Sequence, residues 1–466
     1  MTFLHSFPAR LLLLTVTWCF LATGSSALAA EPAWPDALKE AQAAFNKQQY
    51  DQALQLLDSL EKGGAIAPEV RRLKVRTLAK AGKPQDALTG YDAIVRAGRK
   101  DDLPLLREVA FGFILPMLKD MRVQMRGAGY TALKEIESEE SVPYFEDGLS
   151  DGAGQVRALA TEGLGQFEAG RRSSHLKNAL QDQAAYVRKY AVQALGKTGD
   201  AAMAGLIEKA LEDEEPLVRV SAAGALATLK RPIGWERLNG SAKSRNPDER
   251  SAALRTLGLL KNASSFPELE TAVGDTQPSV RAAAVSGLGD LGEKKAGPVL
   301  LKALHDPIPG VRGAAVLSLG KLHSVEAVNE VRQALHDANP GVRADAVAVL
   351  LEFGEPYATI TGTVRELMGD KEPGIRARVS RSLSKSRGKS VEDAVEGLRL
   401  LMQDVLPLPR MTAVRALGHT ASPQAAAILK EALRDQDDGV RATAAGALIR
   451  VLDGKAGTGR SDPSEG

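Results

Sequence analysis

Apolar residues recur along this chain at two nested periods. In the stretch from Val280 to Leu291, the apolar positions Val280, Ala284, Gly287, Leu288 and Leu291 fall at i, i+4, i+7, i+8 and i+11. That spacing predicts one buried stripe along a helix. The same pattern returns around Arg126, Arg157, Arg188, Arg219, Arg250, Arg281, Arg312, Arg343, Arg376, Arg410 and Arg441, with a separation of 31 residues in most intervals. A leucine stands seven positions after every one of these marker arginines, from Leu133 to Leu448. Six positions before the marker is an aspartate in ten of eleven cases, Ser244 being the departure, and three positions before it proline occurs seven times, from Pro216 to Pro407.

Proline suits the first turn of a helix because its missing N–H has no intrahelical partner there, so a helix is predicted to start at each proline and to carry the arginine in its first turn. A second helix, such as Ala296 to His305, fills the rest of each unit. No stretch alternates as a strand. A single such hairpin cannot bury its own apolar face, but a stack of them shares a continuous core. The fold class expected is all-α: an α-solenoid, a right-handed superhelix of stacked helical hairpins. With layers about 8 to 10 Å apart, the stack would be a curved rod on the order of 100 Å long with one concave side.

The flanks of the array read differently. Between residues 36 and 99, Ala53-Leu54 and Ala87-Leu88 lie 34 residues apart, with Leu57 matched by Tyr91 and Leu60 by Ile94. This resembles two tetratricopeptide repeats, which would cap the array. Residues 453–466 have no apolar period and are expected to be a disordered tail. Residues 1–29 carry Arg10, an apolar run from Leu11 to Ala22, and the small-residue pattern Ala27-Leu28-Ala29. They are expected to be a cleaved signal peptide, placing the mature chain in the periplasm or outside the cell. A helix of that apolar run would be about 18 Å long, short of a hydrocarbon core of about 30 Å.

Composition narrows the chemistry. Aromatic residues are 4% of the chain, so the core is expected to be built from Ala, Leu and Val. The only cysteine is Cys19, inside the expected leader, whose removal would leave the mature chain without disulfides, thiolate metal sites or a cysteine nucleophile. A formal charge of +2 over 466 residues lacks the excess expected of a nucleic-acid binder.

The motif Asp275-Thr-Gln-Pro278-Ser-Val280-Arg281, continued through Leu288 to Gly292, resembles the HEAT repeats of the phycobilisome-lyase-like type over residues 103–452. The resemblance implies that the aspartates and arginines form a hydrogen-bonded ladder between repeats. Asp275, Arg281, Asp306, Arg312, Asp337 and Arg343 are accordingly expected to be structural, with Ser244 breaking the ladder once. Apparent catalytic motifs fail on context. Gly287-Leu-Gly289-Asp-Leu-Gly292 follows no predicted strand, and Ser382-Leu-Ser-Lys385 and Lys197-Thr-Gly199 fall at the ends of repeat helices in the wrong order for a penicillin-binding enzyme. Some HEAT-like proteins are di-iron hydroxylases with His-Glu pairs, and this chain contains no His-Glu dipeptide. His305-Asp306 and His336-Asp337 share a register, but too few ligands surround them for a metal site. No catalytic residue, metal or cofactor is expected.

The function expected is a non-enzymatic scaffold for protein–protein interaction. The alternatives are a lyase or chaperone-like subunit for cofactor attachment, a HEAT-type oxidoreductase, or a binder of an anionic polymer. Positions two, five and nine after each marker share one flank of the helix. In early repeats these are Leu159, Glu162 and Gln166, then Tyr190, Gln193 and Lys197, then Ser221, Gly224 and Thr228, a largely neutral surface. Late repeats instead place Arg378, Arg381, Lys385, Arg415, His419 and Arg450 there. That basic strip is the expected docking place for an acidic protein segment or an anionic envelope polymer.

Overall fold

The computed structural model describes residues 34–456 except 66, 99 and 324. The expected leader, and the tail beyond residue 456, lie outside the described residues. Within them every regular element is a helix, and none is long and apolar enough to cross a membrane. The chain divides into two units, residues 1–65 and 66–466. The boundary separates the two hairpins that the sequence groups together.

In the first unit, α1 (Trp34–Asn46) and α2 (Tyr50–Lys62) form one hairpin. It buries Ala41, Ala44, Ala53, Leu54 and Leu57, and Phe45 meets Tyr50 edge-on at 5.7 Å across the turn.

The second unit begins with the hairpin α3 (Pro68–Lys80) and α4 (Pro84–Gly98) and continues through eleven repeats. All seven repeat prolines open helices at their own position, as in Pro216–Thr228, Pro278–Leu291 and Pro407–Gly418. The leading helices are shorter than the pattern suggests. Where Ala296 to His305 was expected, a 3-10 turn over Lys294–Ala296 runs into a helix over only Gly297–Ala303. Every marker leucine is at most 1% exposed. At about 1.5 to 3 kcal/mol for each buried leucine, this column contributes to the cohesion of the array.

The repeat array closes on itself. The last marker helix, Asp438–Leu452, packs against the first, Val123–Ile136. A Cβ on Gly446 would stand 2.6 Å from the Ala132 carbonyl oxygen, so the two backbones approach this closely only because position 446 has no side chain. Arg107, on the leading helix of repeat one, binds Asp453 beyond the last helix at 2.8 Å. Lys455 donates to the carbonyls of Ile136 and Glu137 at 3.0 and 2.7 Å. The open rod expected from stacking is thus replaced by a closed circuit, and Asp453 and Lys455, assigned to a disordered tail, are part of its seam.

The α3–α4 hairpin braces the seam rather than capping a free end. On one side Arg76 pairs with Glu108 of repeat one at 2.7 Å. On the other, Gln85 donates to the Leu433 carbonyl of repeat eleven at 3.1 Å and Asp92 pairs with Arg434.

Candidate functional site

The ladder runs from each marker arginine to the aspartate of the next repeat. Arg281 donates from Nε to Asp306 Oδ2 at 2.7 Å and from Nη2 to Oδ1 at 3.0 Å, while its Nη1 reaches the Asp275 carbonyl at 3.0 Å. Arg312 repeats this on Asp337 and the Asp306 carbonyl. Each aspartate also accepts from the backbone N–H two residues on, as Asp306 does from Ile308 at 2.9 Å, which closes the turn before the next marker helix. One guanidinium therefore ties three chain segments with bidentate, charge-assisted bonds. The arginine bond holds Asp306, Asp337 and Asp404 below the usual carboxylate range. At Asp151, Asp213 and Asp275 burial pushes upward, yet hydrogen bonds to arginine and backbone N–H outweigh it.

Three steps of the ladder use other acceptors. Where Ser244 replaces aspartate, Glu249 takes over: it receives the Ser244 hydroxyl at 2.9 Å and lies 3.6 Å from Arg219. Arg343 reaches the Asp337 carbonyl at 2.7 Å but pairs with Glu366 at 2.7 Å rather than with Asp370. At the seam a relay replaces the direct bond: Arg441 pairs with Asp438, Asp438 with Arg122 at 3.1 Å, and Arg122 with Asp120 at 2.9 Å.

The late basic strip has a different fate from the one its sequence suggests. Arg450 is 0% exposed, with Nη1 2.7 Å from Glu137 Oε1 but misaligned for a hydrogen bond. His419 lies 2.5 Å and Arg415 3.5 Å from Glu135, whose carboxyl also stays low: burial raises it, and His419, Arg415 and Arg450 together prevail. Arg378 is bound to Asp345 by Nε at 2.8 Å. The strip in repeats ten and eleven is therefore consumed by ring closure and offers no open basic surface. Arg381 stays exposed and Lys385 half-buried.

These pairs also identify the inner side. Glu135 belongs to repeat one and Arg415 to repeat ten, so they meet over the intervening marker helix of repeat eleven. Side chains of next-but-one helices meet this way only on a concave surface. Positions two, five and nine after the marker thus form the inner flank.

Tyr186, Lys189 and Arg255 were not singled out from sequence. Arg255 sits in the same register as Arg381 and Arg415, and that shared register was the available signal. Lys189 and Tyr186 lie one and minus two positions from the marker, just off the flank that sequence reasoning followed. Among the described residues there is no group of His, Cys, Asp and Glu arranged to hold a metal, and Asp306 and Asp337, beside His305 and His336, are engaged by Arg281 and Arg312.

The profile of the HEAT repeat family matches residues 173–234, 236–320, 297–361, 328–404 and 364–449, more than half of the chain. The chain belongs to that family of helical repeat proteins. Among solved structures it is similar to the complex of CpcE and CpcF of phycocyanin lyase from Nostoc sp., at 21% identity and TM-score 0.33 over 48% of this chain and 91% of that one. Human deoxyhypusine hydroxylase is similar at 23% identity and TM-score 0.27, over 55% and 98% of the two chains. YibA of Escherichia coli is similar at 16% identity and TM-score 0.34, over 58% and 99%. These low scores carry no chemistry over to this chain. No curated protein sequence matches it.

Proposed function

We propose that this chain is a non-enzymatic, exported scaffold that binds another protein. The observation that carries the reading is a cluster of large apolar side chains left in solvent at one turn. In the tenth repeat Val405 is 85% exposed, Leu400 53%, Leu408 50% and Leu406 42%. The matching turn of repeat six, Asp275-Thr-Gln-Pro278, carries polar residues in place of Val405 and Leu406. Exposed apolar residues gathered at one place on a folded surface mark a contact with another protein. The ladder and the seam, by contrast, spend their charges on cohesion between repeats, which leaves contact rather than chemistry as the use of the remaining surface.

The test is capture from the exported fraction by the purified chain, with and without Val405→Asp and Leu408→Asp. Both positions are exposed, so unfolding temperature should not change. Loss of a specific co-purifying protein supports the reading. Identical capture by parent and double variant refutes it.

A further inference from the structure

Along the inner flank and its edge, one group of cationic and aromatic side chains makes neither a hydrogen bond nor an ion pair among the described residues. Repeat three supplies Tyr186, Lys189 and Tyr190; repeat five supplies Arg255; Ser221 and Gly224 of repeat four lie between them. Lys189 Nζ stands 5.1 Å from the centre of the Tyr190 ring and 5.8 Å from that of Tyr186. Tyr186 is 58% exposed, and Arg255 is exposed as well. Among the described residues these four side chains make no hydrogen bond and no ion pair.

Small residues bring the two sides together. A Cβ on Gly224 would stand 2.6 Å from Thr256 Cγ2, so repeat five lies close over repeat four. Ser221 accepts from Gln193 of repeat three at 3.3 Å. Burial disfavours the charge on Lys189 and Arg255 adds to that effect, whereas Glu162 opposes it. Glu162 is itself engaged by Lys134.

Elsewhere on this flank the chain supplies its own carboxylates for its cations: Asp345 pairs with Arg378, and Glu135 pairs with Arg415 and His419. Between repeats three and five, among the described residues no carboxylate pairs with Lys189 or Arg255, and Glu162, which acts on Lys189, is paired with Lys134.

We propose that a carboxylate of an acidic peptide segment fills this place, held between Lys189 and Arg255, with an adjoining apolar group against the exposed ring of Tyr186. One lysine and one arginine suit a singly charged carboxylate, whereas phosphate recognition draws on arginine clusters. The contacts reach solvent, so salt weakens them over a screening length of about 10 Å at 0.1 M. This site is separate from the apolar turn of repeat ten, and its failure leaves the scaffold reading standing.

The experiment titrates the purified chain with fluorescein-labelled hexaglutamate at low salt, read by fluorescence anisotropy, with hexalysine and hexagalacturonate as comparators. Hexaglutamate should bind, and Lys189→Met with Arg255→Met should weaken it at least tenfold. Lys385→Met, on the same flank in repeat nine, should leave it unchanged. Reductive methylation of the unaltered protein gives a readout that needs no variant: bound hexaglutamate should slow modification of Lys189 and not of Lys385. No binding, equal binding by the double variant, preference for hexagalacturonate, or unprotected Lys189 would each overturn the proposal.

Discussion

Arg122 and Asp438 pair at 3.1 Å although 316 positions separate them along the chain. The bond stands where the regular ladder would need Arg441 to reach Asp120, and it carries the ladder across the seam by way of Asp438. Four charged groups there do what two do at an ordinary junction such as Arg281 and Asp306.

Removing one ladder arginine should cost stability and nothing else. Arg281→Ala leaves Asp306 without its bidentate partner and the Asp275 carbonyl without its donor. The expected loss is on the order of 1 to 3 kcal/mol, read as a lower midpoint in urea. An unchanged midpoint would show that the bond contributes no net stability.

Acid should weaken the ladder with a defined sign. Asp182, Asp306, Asp337 and Asp404 are held below their ordinary 3.8 by bonds from Arg157, Arg281, Arg312 and Arg376. A carboxyl lowered in the folded state binds fewer protons there than in the unfolded chain. Its contribution is complete above pH about 4 and is lost as pH falls from there through the folded value. Unfolding temperature should therefore drop steeply below pH about 4, and in Arg281→Ala the drop should be shallower. Parallel curves for parent and variant would contradict this account.

The seam offers a more selective test. Gly446→Leu would drive a side chain into the Ala132 backbone and force the first and last marker helices apart. X-ray scattering should then report a larger radius of gyration, while circular dichroism still shows helix. Gly310→Leu serves as the control, since a Cβ there meets nothing within 4 Å. An unchanged radius in Gly446→Leu would show that the helices accommodate the side chain without parting.

Export has its own readout. Ala27-Leu28-Ala29 predicts a mature chain beginning at Ala30. Mass spectrometry of the secreted or periplasmic protein should find that terminus. An intact Met1 end in that fraction would count against cleavage.

The repeats were legible because each carries its own punctuation. Pro278 sets where a helix begins, Leu288 names the buried face, and Asp306 with Arg281 records the bond to the next unit. Closure left no such record. It results from a small rotation at each junction, accumulated over eleven junctions, and no single repeat encodes the total. The late basic strip was misread for the same reason. Arg415, His419 and Arg450 are cations on a helix flank in the sequence, and only the return of Glu135 and Glu137 from the far end of the array converts them into a seam. The substitution of Glu249 for the missing aspartate at Ser244 was hidden too, because the replacement carboxylate comes from inside the marker helix rather than from the turn before it.

A linear stack of helical hairpins behaves as a spring: it uncoils under load, and its outermost units fray first because each lacks a neighbour on one side. The contact of Gly446 with Ala132 turns the spring into a hoop. No repeat is outermost, so local melting has no preferred starting point. A ligand that tightens the bend at one sector must be answered by an opposite change of curvature elsewhere around the circuit.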